Sequence, residues 1–370
     1  MKPVTVTPNF LTRKKGYALV SYLQDPSKHL YKRDALPGHT NRWESREIVR
    51  VLVRMGYITD VINWNDTAFL PKKEYDIIID IADLFSRWKN LLSHKTIKLL
   101  HLTGSYPLYQ NKAEKKAAKE FEQRTGVVYA LKRQIENPAA ILESLQVADA
   151  ATLLGNAHTL QTYPEELQSK ISLLSVTASH SEFVKHDKDV PSKKQFLWYF
   201  GSGAVHKGLD KVIEVFLKRK DLTLHIVGNV DDDQSFWSAY RGKIAGSKNI
   251  RYHGLLSPDD SRFKSLLGDT FCFVAPSCSE SMSTSVATCL CLGLYPIISS
   301  DTGISLPDGC GISLESATIP KIDTAITTVL SYSSDRISKE IKIIQKEAIK
   351  KYSRKEFTKN IYNFLKSQLL

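Results

Sequence analysis

Two short stretches hold the residues best suited to chemistry. Residues 201–208, GSGAVHKG, set glycines at Gly201 and Gly203 around Ser202 and follow them with Lys207 at the start of a helical run. Glycines let a backbone approach a ligand closely, and a lysine at a helix start brings positive charge to the same place, so the stretch suits a diphosphate. Residues 271–300, FCFVAPSCSESMSTSVATCLCLGLYPIISS, read as strand, tight loop, helix and strand. Phe271 to Ala275 is an apolar run ended by Pro276, Glu280 stands at the mouth of the loop, and Val286, Leu290 and Gly293 follow Ser283 at helical spacing. A loop leaving the carboxyl end of a strand and opening into a helix N-terminus offers unpaired N–H groups to an anion, and a nucleotide diphosphate fits that description. Each residue also has a plainer reading. Lys207 reads equally as an exposed first-turn lysine, and Glu280 as an acid near the N-terminus of helix 283–292.

The elements that must position these stretches alternate along the chain. Apolar runs at Tyr17 to Leu23, Ile58 to Trp64, Tyr75 to Ile81, Lys95 to Leu102, Ala151 to Leu154 and Ile171 to Val176 predict strands, with helices over Asn41 to Met55 and Leu108 to Arg124. A second series restarts at Phe196 to Phe200 and continues through Leu222 to Val227, Asn249 to Gly254, Phe271 to Ala275, Tyr295 to Ser300 and Gly311 to Leu314. Strands separated by helices predict parallel sheets, so the fold class is α/β with two Rossmann-like halves. Residues 1–16 read as a polar lead-in, and the polar stretch 180–195 as the boundary between halves. Gly228 ends a strand in the second half, where a nucleotide would lie. In the first half His39, Thr40 and Asn41 precede a helix, placed either to cap it or to offer backbone donors to an acceptor. His101 and Thr103 end a strand at the sheet edge where ligands bind, although a histidine there is equally a structural one.

Composition narrows the function classes. A chain of 370 residues accommodates two domains, and 42% hydrophobic with 24% charged residues is an ordinary globular balance. The formal charge of +12 attracts nucleic acid, anionic lipid or anionic small molecules alike, and only the pattern chooses among them. No helix-turn-helix, zinc-finger or RNA-recognition pattern is present, so nucleic acid is not expected as a partner. Five cysteines without a Cys-x-x-Cys spacing fit reduced thiols in a cytoplasmic protein rather than a disulfide framework or a zinc site. No apolar run is long enough to span a bilayer, which leaves a basic surface resting on the inner face of an anionic membrane as the expected membrane contact. No Asp-x-Asp stands in a strand context, and Asp231, Asp232 and Asp233 read as a solvated loop, so no metal and no cofactor are expected.

The loop 276–293 resembles the donor-site segment of retaining glycosyltransferases with the GT-B fold, whose pattern runs Pro-Ser-x-x-Glu-Gly-Phe-Gly with a second Glu eight residues after the first. Pro276, Ser277, Glu280 and Gly293 fall in register, whereas Ser281, Met282 and Ser283 stand in place of Gly-Phe-Gly and Thr288 in place of the second Glu. Residues 201–208 are similar to the family's Gly-Arg-x-x-x-x-Lys-Gly, with Gly201, Lys207 and Gly208 matching and Ser202 in place of Arg. The resemblance implies an acceptor domain at 1–184, a nucleotide-sugar donor domain at 185–350 facing it across a cleft, and a C-terminal helix at 351–370 returning to the first. It implies a hexose-type sugar moved from a nucleotide-diphosphate donor to a glycan or lipid-linked acceptor, with retention and without metal. His101 and Glu280 would act at the reacting sugar, Gly201, Ser202, Gly203 and Lys207 at the diphosphate, Gly228, Ser283, Thr284 and Thr288 at the nucleotide or sugar, and His39, Thr40, Asn41 and Thr103 on the acceptor side. The substitutions at Ser202 and Thr288 also fit a non-catalytic GT-B binding or partner subunit.

Overall fold

A computed structural model describes residues 2–30, 40–179 and 193–369. His39 lies outside the described residues, as does most of the polar boundary 180–195. The chain forms two compact units, one of residues 1–104, 136–177 and 354–370, the other of residues 105–135 and 178–353.

The first unit is built on seven strands: β1 Val4–Val6, β2 Gly16–Tyr22, β3 Tyr57–Asn63, β4 Ile77–Asp80, β5 Ile97–Leu102, β6 Ala150–Leu154 and β7 Ile171–Leu174. Their order is β1-β3-β2-β4-β5-β6-β7, and every pair but β1 with β3 is parallel. Central strands such as β4 are buried along their whole length, as parallel strands covered on both faces must be. Residues 4–6 depart from the expected lead-in. Val4–Val6 pairs antiparallel along β3, Val6 is buried, and Thr5 Oγ1 donates to Asp60 Oδ1 at 2.7 Å. Backbone pairing and one side-chain bond hold this edge strand, which is too short to show a period in sequence.

Two helices, Thr40–Arg54 and Arg354–Leu369, belong to this unit. The helix Thr40–Arg54 starts one residue earlier than expected, so Thr40 opens it and Asn41 lies within its first turn. The helix Arg354–Leu369 packs against it, with Phe357 edge-on to Trp43 at 5.8 Å and Thr358 Oγ1 donating to Glu47 Oε1 at 3.0 Å. Glu44, 2% exposed, takes both the Thr177 N–H at 2.9 Å and the Thr177 hydroxyl at 3.0 Å on one carboxylate oxygen.

The second unit carries six parallel strands, β8 Gln195–Tyr199, β9 Thr223–Val227, β10 Ile250–Tyr252, β11 Cys272–Ala275, β12 Tyr295–Ser299 and β13 Ile312–Leu314, in the order β10-β9-β8-β11-β12-β13. The order reverses beside β8, so the loops after β8 and β11 leave neighbouring strands at the switch point where open sheets bind ligands. Phe196 anchors the core beneath them, edge-on to Phe216 at 5.3 Å and to Phe271 at 5.0 Å. The helix Leu209–Lys218 buries Val212, Ile213, Val215 and Phe216, the stripe its period of four and three prescribes.

Residues 105–135 leave the first unit after β5, pack on the second and return. Their helix, Pro107–Thr125, buries Phe121 against Tyr129 at 5.2 Å and against Tyr240 at 6.0 Å. Tyr129 Oη donates to Asp233 Oδ2 at 2.6 Å, Lys211 Nζ meets Glu120 Oε2 at 2.8 Å, and Arg124 pairs with the buried Asp210. Asp233 is therefore not part of a solvated loop. It is 5% exposed, and its other oxygen caps the helix Gln234–Ala245 through the Phe236 N–H.

Candidate functional site

The turn 201–208 and the loop 276–283 meet in the second unit. Cys278 N–H donates to the His206 carbonyl at 2.9 Å, and His206 Nε2 is bonded to the Ser279 carbonyl. Gly208 adopts φ +70°, and a Cβ there would lie 2.5 Å from the Pro276 carbonyl oxygen, so only glycine admits this approach. At the contact Lys207 Nζ forms an ion pair with Glu280 Oε1, and the side chains are 7% and 12% exposed. Lys207 is thus no exposed first-turn lysine, since the helix begins at Leu209 and the ammonium lies inside the loops. Nor is Glu280 a helix cap, because Ser283 occupies the N-cap of the helix Thr284–Cys291 and its side chain accepts from the Val286 N–H.

The electrostatics follow from burial. Desolvation, and then the Arg133 guanidinium, push the Lys207 ammonium well below its usual range, while the ion pair sets the Glu280 carboxylate against it as a counter-charge. Desolvation also pushes His206 well below its usual range, with Lys207 and Arg133 adding to it, and its Nδ1 has no hydrogen-bond partner among the described residues. Burial pushes the Cys278 thiol up to about 12, so it remains protonated. The Lys207 ammonium also lies 5.4 Å from the centre of the Phe200 ring.

Other expected residues gather around the same loops. Asn229 N–H donates to the Gly201 carbonyl at 2.6 Å, tying the turn after β8 to the one after β9. At Gly228 an added Cβ would collide with the Phe200 carbonyl, which accounts for a glycine at that strand end. Ser202 is exposed. Ser283 N–H donates to Thr302 O at 2.8 Å, and Thr284 opens the helix behind it. Thr288 sits deeper, fully buried, its hydroxyl donating to Thr284 O at 2.8 Å and accepting from Ser179 N–H at 3.0 Å.

His101, Thr103, Thr40 and Asn41 belong to the first unit. His101 lies one residue before the end of β5 at 1% exposure, Nδ1 bonded to Thr152 Oγ1 at 2.7 Å and Nε2 without a partner among the described residues. Burial pulls its pKa down to about 4, which keeps the ring neutral. Thr103 is exposed beyond the strand end, and Thr40 is buried at its helix start.

Residues 105–135 bring further groups to the second unit. Ser105 Oγ lies 2.5 Å from Ser279 Oγ, and Tyr109 Oη donates to Asp301 Oδ1 at 2.5 Å. The stem of Arg133 lies over Gly203, 3.8 Å from where a Cβ would stand. Among the described residues no group of three or more His, Cys, Asp or Glu side chains is placed to hold a metal, and no helix is long and apolar enough to cross a membrane.

No family model and no curated protein matches the sequence. Solved structures do match. Sucrose-phosphate synthase of Thermosynechococcus elongatus superposes with a TM-score of 0.67 at 12% identity, covering 95% of this chain and 98% of its own. A glycosyltransferase of Rickettsia africae gives 0.61 at 14% identity over 95% and 98% of the two chains. The chain has the GT-B fold. A further GT-B match, HepE of Anabaena solved with UDP and glucose, gives 0.58 at 10% identity over 95% and 100%. These identities, 10–14%, establish a shared fold and no shared residue roles for this GT-B protein.

Proposed function

We propose that this protein is a glycosyltransferase that moves a hexose-type sugar from a nucleotide-diphosphate donor to a glycan or lipid-linked acceptor, with retention of configuration and without a metal. The observation that carries this reading is the buried Lys207–Glu280 pair, held between glycine-rich and small-residue loops at the switch point of the second sheet. As the bond from the anomeric carbon to the diphosphate oxygen breaks, negative charge grows on the leaving group and positive charge on the ring. A cation already fixed in a desolvated site stabilises the first without reorganising, and Lys207 has that position. Glu280 keeps one oxygen on the Lys207 ammonium and accepts hydrogen bonds from the sugar hydroxyls on the other, while the remaining ammonium protons face the phosphate. His101, neutral and with Nε2 unpartnered, is assigned a hydrogen bond to a substrate hydroxyl. The complex of HepE with UDP and glucose supports a nucleoside diphosphate as the ligand.

The test is a thermal-shift titration of the purified protein with UDP, GDP, ADP, dTDP and CDP, followed by assay of diphosphate release from the matching sugar nucleotides. One diphosphate raises the melting temperature by mass action, and Lys207→Ala abolishes the rise. If none of the five shifts the transition and no sugar nucleotide is turned over, the proposal falls. The buried, fully committed Thr288 favours a second reading, a non-catalytic binding or partner subunit, which predicts diphosphate binding without turnover. The proposal includes a peripheral position on anionic membrane, supported by the groove of the first unit, where Arg50, Arg54, Arg354, Lys355 and Lys359 outnumber the one acid, Glu47, that pairs with Arg50. Failure to co-sediment with anionic vesicles at low salt would remove that part.

A further inference from the structure

Positive charge near residues 201–208 is only partly compensated. Lys211 meets Glu120 at 2.8 Å and Lys207 meets Glu280, whereas the Arg133 guanidinium has no carboxylate partner among the described residues. Arg133 reaches this place because its loop is built to hold it there. Glu114, 0% exposed, accepts the N–H groups of Lys132 at 3.0 Å and Arg133 at 2.7 Å on Oε1, and the Gln134 side chain at 2.7 Å on Oε2. Gln110 Nε2 donates to the Arg133 carbonyl at 2.6 Å, and the Asn111 amide brackets Ile135 with bonds of 2.8 and 2.9 Å. A buried carboxylate spent on three loop donors fixes the backbone, so the exposed side chain pays little entropy to lie across Gly203. The charge of Arg133 acts on both Lys207 and His206, and its stem lies over Gly203 in the same turn. Like charges held this close repel unless an anion joins them, and a planar five-donor guanidinium beside an ammonium suits two linked phosphates rather than one.

We propose that Arg133, carried to the second unit by residues 105–135, is the second cation of the donor site and grips the diphosphate together with Lys207. This rests on the donor-site reading of Lys207 and Glu280 and adds to it a residue from outside residues 201–208 and 276–293. Specificity for a diphosphate over a monophosphate then depends on Arg133, because the second phosphate has the guanidinium as its partner.

The experiment titrates the intact protein, Arg133→Ala, and Arg133→Ala combined with Ser202→Arg by calorimetry at low salt. The probes are UDP, GDP, ADP, dTDP and CDP with the corresponding monophosphates. Ser202 is exposed and adjoins Gly203, so an arginine there supplies the missing charge from the other side. Arg133→Ala weakens binding of the cognate diphosphate by about tenfold to a hundredfold, the loss expected for a charge-assisted bond, and weakens the monophosphate by far less. The Ser202→Arg change recovers most of the loss, and the ligand-free melting temperatures stay together because the Arg133 side chain is exposed. If the wild-type protein binds no diphosphate, the donor-site reading fails and this inference with it. If it binds one and Arg133→Ala binds it equally well, or loses both phosphate forms alike, Arg133 alone is refuted.

Discussion

Glu44→Gln should stabilise the protein above neutral pH and leave it nearly unchanged in mild acid. The Glu44 carboxyl is buried against Thr177, and desolvation raises its pKa from 4.5 to about 7 despite the two bonds from Thr177 that favour the charged form. The folded state therefore holds a proton that the unfolded state releases earlier. Stability falls as pH rises through the window from 4.5 to about 7, and the penalty is fully present above it. That displacement corresponds to roughly 3 kcal/mol. Tyr22, whose own titration Glu44 influences, is pushed well above its usual range by burial and then by Glu44, so it does not ionise in this window. Glutamine keeps the acceptor for both Thr177 groups and cannot ionise. Urea unfolding followed by circular dichroism, run at several pH values from about 4.5 to 8, should show the variant gaining on the wild type by up to roughly 3 kcal/mol as pH rises. A difference that does not change with pH would refute the assignment of the proton to Glu44.

Two further outcomes test the packing around the site. Arg124→Ala leaves Asp210 buried without its counter-charge and should cost about 3–5 kcal/mol in urea unfolding, most of it recovered when Asp210→Leu is added; a loss under about 1 kcal/mol would refute the buried pair. Gly303→Ala places a Cβ against the Ser281 carbonyl at φ +67°, and should lower both the melting temperature and diphosphate affinity, whereas wild-type values for both would show that the loop gives way freely.

Most of both sheets could be read in the sequence, for a physical reason. Strands such as Cys272–Ala275, and Ile77–Asp80 up to its final aspartate, are covered on both faces and therefore appear as apolar runs. The edge strand Val4–Val6 escaped because backbone pairing needs no side-chain period. The motifs at 201–208 and 276–293 marked the right two loops, yet nothing in either stretch states that Lys207 and Glu280 face each other. Glu280 also reads differently beside a buried lysine than beside a helix end. Arg133 and Glu114 left no signal, since a lone arginine in a polar stretch and a glutamate in a lysine-rich helix look like surface. A helix sequence shows which face is apolar and not which sheet will cover it, and for that reason residues 105–135 were expected with the first half.

Those residues have a consequence for how the chain is made and rearranged. Phe121 and Tyr129 are synthesised well before Tyr240 and Asp233, the groups that cover them, so the helix Pro107–Thr125 leaves the ribosome with its aromatic side still wet. Its burial waits for the second half of the chain, a closure between residues more than a hundred positions apart. The same crossing sets a rule for exchanging halves between related proteins. A single junction near residue 180 would separate Arg124 from Asp210 and Arg133 from Lys207, whereas a graft that carries residues 105–135 together with 178–353 keeps each pair whole.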